Sequence, residues 1–124
     1  MDQERISELA HRNLLGVFGE RDPQARAKAV DEIYAEGVTF ADPEEVVVGR
    51  EALNRKAQRL LDDAPGFGFT PVGPVRIANN LAMLAWQFGP ADAPPVVSGV
   101  DVSIVEDGRI MALYTLLDPP AQTD

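Results

Sequence analysis

The chain has 124 residues, no cysteine, a single histidine and a formal net charge of −9. That length supports one hydrophobic core, and 45% hydrophobic against 25% charged residues is the balance of a globular domain rather than a disordered one. The composition excludes disulfides and Cys–His zinc sites, and 20 acids against 11 bases oppose the footprint that nucleic acid or an anionic membrane requires.

No run reaches the ~18 consecutive apolar residues of a membrane span. Residues 1–5 are mixed in charge and unlike a signal peptide, so a cytoplasmic chain is expected. It is read as one domain over residues 1–124, with its core at about 5–118 and a tail at 119–124.

Residues 3 to about 19 place Ile6, Leu9, Ala10, Leu14, Val17 and Phe18 at helical spacing, with Asn13 inside that apolar stripe. Asp22-Pro23 reads as an N-cap and first helical position, opening a second helix through Ala27, Val30, Ile33 and Tyr34 that Gly37 ends. Val38 to Phe40 is a short strand, turned sharply at Asp42-Pro43. Val46 to Val48 is another, and Arg50 to Asp63 form a third helix with Leu53, Ala57, Leu60 and Leu61 on one face. From Phe67 the pattern turns to strands: 67–78 with Pro71 and Pro74 marking an edge or bulge, 81–88, 96–106, and 109–117 after an Asp107-Gly108 turn. Helices first and strands afterwards, with turns too short for crossover helices, predict an α+β domain with an antiparallel sheet.

Along residues 96–106 both alternating faces are largely apolar. One carries Val96, Ser98, Val100, Val102 and Ile104, and the other Val97, Gly99, Asp101, Ser103 and Val105. Three short helices cover one face of a sheet, so the second is expected to be covered by another copy of the chain, giving a homodimer through the outer sheet face.

Two acids ask for an explanation. Asp101 interrupts an apolar strand, two residues after a glycine, where an ionised carboxylate costs several kcal/mol unless paired and its pKa should rise. Asp42 follows Phe40 at a tight turn. Around them Asn13 supplies a hydrogen-bond donor, and Phe18, Tyr34, Phe40, Trp86 and Phe88 supply an aromatic lining, a setting suited to a small hydrophobic carbonyl compound. On the last strand, a two-residue turn at Asp107-Gly108 places Tyr114 on the face of Asp101, whereas a three-residue turn places Leu113 and Thr115 there. His11 lies on the polar side of the first helix and is read as solvated. Gly66-Phe67-Gly68 precedes a strand rather than a helix, so it is no phosphate loop. No histidine pair or carboxylate cluster has metal-ligand spacing, and no metal or cofactor is expected.

The element order, with the segments Phe40 to Pro43, Gly49 to Leu53, Pro65 to Phe67, Leu84 to Trp86, Gly99 to Asp101 and Asp107 to Ile110, resembles the nuclear transport factor 2-like superfamily in its SnoaL-like, polyketide-cyclase-like branch. The likeness runs over roughly residues 5–118. It implies a cone-shaped, curved sheet wrapped around about three N-terminal helices as an α+β barrel, with a ligand cavity on the concave side and dimers through the convex one. By the distant similarity to ketosteroid isomerases, Asp42 corresponds to the general base and Asp101 to the neutral acid that donates to an oxyanion. The tyrosine that completes that oxyanion site has no counterpart here. Leu14 stands at about its position, with Asn13 beside it as a substitute donor. The resemblance implies a cofactor-free acid–base isomerase or cyclase acting on a hydrophobic carbonyl compound; the alternative is a non-catalytic domain of the same fold that binds a small ligand or a protein.

Overall fold

The computed structural model describes residues 2–119; the expected tail beyond residue 119 lies outside the described residues. Helix α1 spans Gln3–Arg12, capped by the Asp2 side chain, and continues without a break into a π-helical stretch, Asn13–Phe18. The Gly19 amide donates to the Leu14 carbonyl five residues back at 2.8 Å, which is the bond of that wider turn. Both Asn13 and Leu14 are buried as a result. An uninterrupted α-helix, as the spacing suggested, swings neighbouring residues farther apart around its axis.

Helix α2 covers Pro23–Ile33, with the Asp22 carboxylate accepting from the Gln24 amide. Here the structure corrects the expected boundary. The helix does not run to Gly37: Tyr34 already has extended backbone and opens strand β1, Tyr34–Ala41. Tertiary pairing overrides the local pattern, because Tyr34 pairs with Ile110 of the last strand and its carbonyl accepts two hydrogen bonds from Arg50 at 3.0 and 2.7 Å. Strand β2, Val46–Val48, and helix α3, Arg50–Asp62, follow within a residue of expectation, as do β3 (Phe67–Ala78), β5 (Val97–Glu106) and β6 (Arg109–Leu117), whereas β4 (Leu81–Pro90) runs two residues past its expected end at Phe88.

Among the described residues six strands form one sheet, in the order β2-β1-β6-β5-β4-β3. Every neighbouring pair is antiparallel except β1–β6, which is parallel, so the sheet is mixed and open at two edges rather than closed into a barrel. The parallel contact escapes a reading based on short turns, because β1 reaches β6 only after the whole intervening chain. The architecture is α+β, with the helices packed on the concave side.

Curvature has identifiable sources. Strand β3 lies at an edge, where its prolines are tolerated, and its register with β4 breaks between Val72 and Arg76 around Gly73, whose φ is +74°. A second break separates Ile104 from Val105 opposite Met111. The main core joins Ile6, Leu9, Val17, Val30, Ile33 and Tyr34 to Leu53, Val105, Ile110 and Leu113, filling the space between helices and sheet. Among the described residues, no helix is long and apolar enough to cross a membrane.

Candidate active site

At one end of the concave face a cavity of about 210 Å³ opens between the π-helical stretch, the loop after β1, α3 and strands β3 to β6. Both acids singled out in the sequence, Asp42 and Asp101, are in its wall, together with Leu14, Phe18, Phe40, Trp86 and Phe88. The aromatic rings form two groups. Phe69 contacts Phe88 and Trp86 with ring centres 4.3 and 5.2 Å apart, and Phe18 contacts Phe40 at 5.3 Å.

Asp101 is buried, and both of its oxygens are hydrogen-bonded. Its Oδ1 accepts hydrogen bonds from Trp86 Nε1 at 3.0 Å and Thr115 Oγ1 at 2.7 Å, and its Oδ2 accepts one from Asn13 Nδ2 at 3.1 Å. Burial raises its pKa from 3.8 to about 6, against the opposing pull of the bonds from Thr115, Trp86 and Asn13. A carboxylate has roughly four lone-pair positions, so about one remains free, and it is on Oδ2. Behind Asn13, the Tyr34 hydroxyl donates to Asn13 Oδ1. Tyr34 is fully buried, and its pKa lies well above the ordinary range because of that burial first and the negative charge of Asp101 second.

Asp42 is held differently. Its Oδ1 accepts from the backbone amides of Glu44 and Glu45 at 2.9 and 3.0 Å, which makes the turn, and its Oδ2 lies 3.0 Å from Lys56 Nζ. Lys56 comes from α3 with its ammonium buried, and it also donates to Glu45 at 2.9 Å and Glu44 at 3.3 Å. Burial works to lower the Lys56 pKa, but the bonds to Glu45 and Asp42 outweigh it and leave it raised. The turn that carries Asp42, Pro43 and Glu44 into the cavity wall is thus fastened to α3.

The remaining candidates divide. Asn13 and Tyr34 stand behind Asp101 rather than in the cavity wall. Tyr114 is on the opposite side of the sheet and 46% exposed, and Thr115 takes the place beside Asp101. The hairpin turn does have two residues, Asp107-Gly108 with φ +51° and +75°, pairing Glu106 with Arg109. Met111 is then an extra residue, because Val105 pairs with Ile110 but Ile104 pairs with Ala112, and this bulge reverses which side chains face inward. His11 is half-buried with its Nδ1 against the Ser7 carbonyl, and it does not reach the cavity.

Sequence reasoning missed Phe69, Leu60, Val97 and Leu117 as lining residues. Val97 shares the alternating face of Asp101, and Leu60 belongs to the apolar stripe of α3, so both carried a usable signal. Phe69 carried less, since its facing depends on pairing with Phe88.

A family model described as the SnoaL-like domain matches residues 12–113. The chain belongs to this SnoaL-like family. Solved structures agree on the fold. A candidate isomerase of the SnoaL-like family from Agrobacterium tumefaciens is 23% identical, with 94% of this chain and all of that chain covered, at a TM-score of 0.86. A candidate ketosteroid isomerase from Kribbella flavida is 19% identical over 98% of this chain and 83% of its own, at 0.74. A candidate SnoaL-like polyketide cyclase from Jannaschia is 14% identical over 95% and 91%, at 0.76. None of the curated proteins matches the chain. At these identities the likeness establishes the SnoaL-like, nuclear transport factor 2-like fold, whereas activity belongs to the site.

Proposed function

We propose that this SnoaL-like protein takes a small, largely apolar carbonyl compound into the concave cavity and moves a proton on it without a cofactor, as an isomerase or cyclase does. The observation that carries this reading is Asp101: a buried acid raised to about 6, set in the wall of an otherwise mostly apolar cavity. A group with that pKa is partly in each form near neutral pH, which suits proton transfer in both directions. The C–H bond next to the carbonyl breaks, the proton goes to Asp101 Oδ2, and the electron pair stays on the substrate as an enolate. Return of the proton to another carbon completes an isomerisation; attack of the enolate on a second carbonyl forms a carbon–carbon bond and leaves an alkoxide, which takes the proton back from Asp101 and completes a cyclisation.

The likeness to ketosteroid isomerases assigns proton removal to Asp42 and a neutral donor role to Asp101. The hydrogen bonds favour the other division. Each carboxylate accepts three bonds, but one partner of Asp42 is the ammonium of Lys56, which neutralises it, whereas the three donors to Asp101 are all uncharged. The cavity, at about 210 Å³, is smaller than the roughly 300–1,000 Å³ of most drug-sized ligand pockets, which suits a small compound.

A second reading, capture without turnover, draws on the complete pairing of the site: among the described residues no buried side-chain nitrogen or oxygen lacks a partner. One experiment separates the readings. Native mass spectrometry of the purified protein identifies any retained compound, which is then offered back in deuterium oxide. Exchange at carbon that survives in Asp42→Asn but not in Asp101→Asn supports the assignment made here, and the opposite pattern restores the roles drawn from the isomerase likeness. Retention with no exchange at all supports capture.

We also infer that a second copy covers the convex face of the sheet. The paired rows Val72, Ala85, Val100 and Leu116, then Arg76, Met83, Val102 and Tyr114, then Ala78, Leu81, Ile104 and Ala112 cross four strands. They hold one charge, Arg76, in a chain of net charge −9, so this is a face on which two copies meet without acid-to-acid repulsion.

A further inference from the structure

We propose that Tyr34 is a positioning residue of the site: through its hydroxyl it fixes the amide of Asn13 with Nδ2 toward Asp101, so that the buried carboxyl faces a donor and not an acceptor. The Asn13 side chain is a two-sided group, and turning it over exchanges its donor and acceptor ends. In the observed arrangement every group is matched. Tyr34 donates to Asn13 Oδ1, and Asn13 Nδ2 donates to Asp101 Oδ2 at 3.1 Å. In the flipped arrangement the amide nitrogen faces the tyrosine oxygen, and the phenol hydrogen loses the one acceptor it has among the described residues. Tyr34 and Asn13 are both fully buried, so water does not make up the loss. Burial and the charge of Asp101 keep the phenol protonated, so it remains a donor across the working pH range.

The orientation matters because it decides which form of Asp101 is favoured. With Nδ2 toward it, the ionised carboxylate gains a bond; with Oδ1 toward it, the protonated acid does. Around Asp101 the other facing groups do not impose this choice: the indole of Trp86 from β4 has a donor alone, and the Thr115 hydroxyl from β6, at 2.7 Å, turns to suit either form of the carboxyl. Asp42 and Glu44 in the loop after β1 share the cavity wall but are paired with Lys56 from α3. Asn13 is therefore the direct partner of Asp101 whose polarity is set by a further buried side chain, and that side chain is Tyr34.

This proposal goes beyond the functional reading and is tested without a substrate, so either can fail alone. Trp86 is the single tryptophan and bonds directly to Asp101, so its emission in ligand-free protein follows the protonation of that carboxyl. Tyr34→Phe deletes one oxygen and releases the amide. Its Asp101 midpoint should rise by about one pH unit, the size of one modest hydrogen bond. Asn13→Leu should raise the midpoint as well, and adding Tyr34→Phe to it should move it no further, since Tyr34 acts through Asn13. A folded Tyr34→Phe with an unchanged midpoint, or two shifts that simply add, overturns the proposal. If either variant fails to fold, the two Asn13 side-chain amide proton resonances of the unmodified protein give the answer. They should shift with the same midpoint as Trp86, and resonances that stay still through that midpoint count against the relay.

Discussion

Trp86 Nε1 donates to Asp101 Oδ1 at 3.0 Å, which ties the only indole of the chain to a buried carboxyl whose pKa is raised to about 6. The two residues sit on neighbouring strands β4 and β5, and Gly99 leaves the room that the indole occupies: a Cβ added there would stand 2.9 Å from Trp86 Cζ2 and would also collide with the Leu116 carbonyl. A pH titration of Trp86 emission should therefore show one transition near 6, and Asp101→Asn should remove it. A transition that persists in Asp101→Asn would assign it to another group.

The same carboxyl imposes a pH dependence on stability. Its folded pKa, about 6, lies above the ordinary 3.8, so the folded chain holds the proton more tightly than the unfolded one. The contribution is fully present below 3.8 and is lost as pH rises through 6. The gap corresponds to at most about 3 kcal/mol. Asp101→Asn has no such titration. Its stability relative to the unmodified protein should improve by up to about 3 kcal/mol between pH 4 and 7, as measured by urea unfolding at each pH. A constant difference would mean that Asp101 is solvated.

Lys56→Met removes the cation that fastens the cavity loop. Its partner Asp42 is nearly as buried as Lys56 itself, with side chains 10% and 3% exposed, so the loss leaves a carboxylate without its counter-charge. We expect a cost of about 2–4 kcal/mol at neutral pH in urea unfolding, reduced when Asp42→Asn is added. Glu45 is held below its ordinary 4.5, first by its hydrogen bond from Lys56. A lowered acid stabilises above its unfolded pKa and loses that contribution as pH falls, so the deficit of Lys56→Met should shrink below about 4.5. A deficit that is independent of pH would point to lost packing alone.

Gly99→Ala tests how closely the indole is seated. The added methyl meets the β6 backbone at Leu116 as well as the Trp86 ring, and strands do not yield as a side-chain tip does. A loss of about 1–3 kcal/mol is expected, with a shifted Trp86 emission and a changed transition near 6. An unchanged spectrum would show that the ring has freedom the packing does not suggest.

Local chemistry explains what was legible beforehand. Strand β3 was readable to its ends from Phe67 to Ala78, because glycine bounds one side and an asparagine turn the other. Asp101 stood out because an acid in an apolar alternation has few innocent explanations. What escaped depended on distant pairing. Tyr34 reads as the last turn of a helix until Ile110 is brought beside it, and Thr115 rather than Tyr114 faces Asp101 only because Met111 is bulged out. The cage around Asp42 was hidden for the same reason, since nothing in the spacing of residues 42 and 56 reveals that the lysine points back into the turn.

The convex face supplies the last expectation. Leu116 is 53% exposed and Tyr114 46%, on adjacent rows that otherwise carry Val100 and Val102. A stable pair of copies needs roughly 800 Å² from each, about the area of a four-strand face. A single acid placed at the middle of such a self-complementary surface meets its own image across the two-fold axis. Val102→Asp should therefore convert dimer to monomer in sedimentation equilibrium. The same change leaves the concave side untouched, so the Trp86 transition near 6 should persist in the monomer. An unmodified protein that sediments as a monomer would remove the second copy from this face.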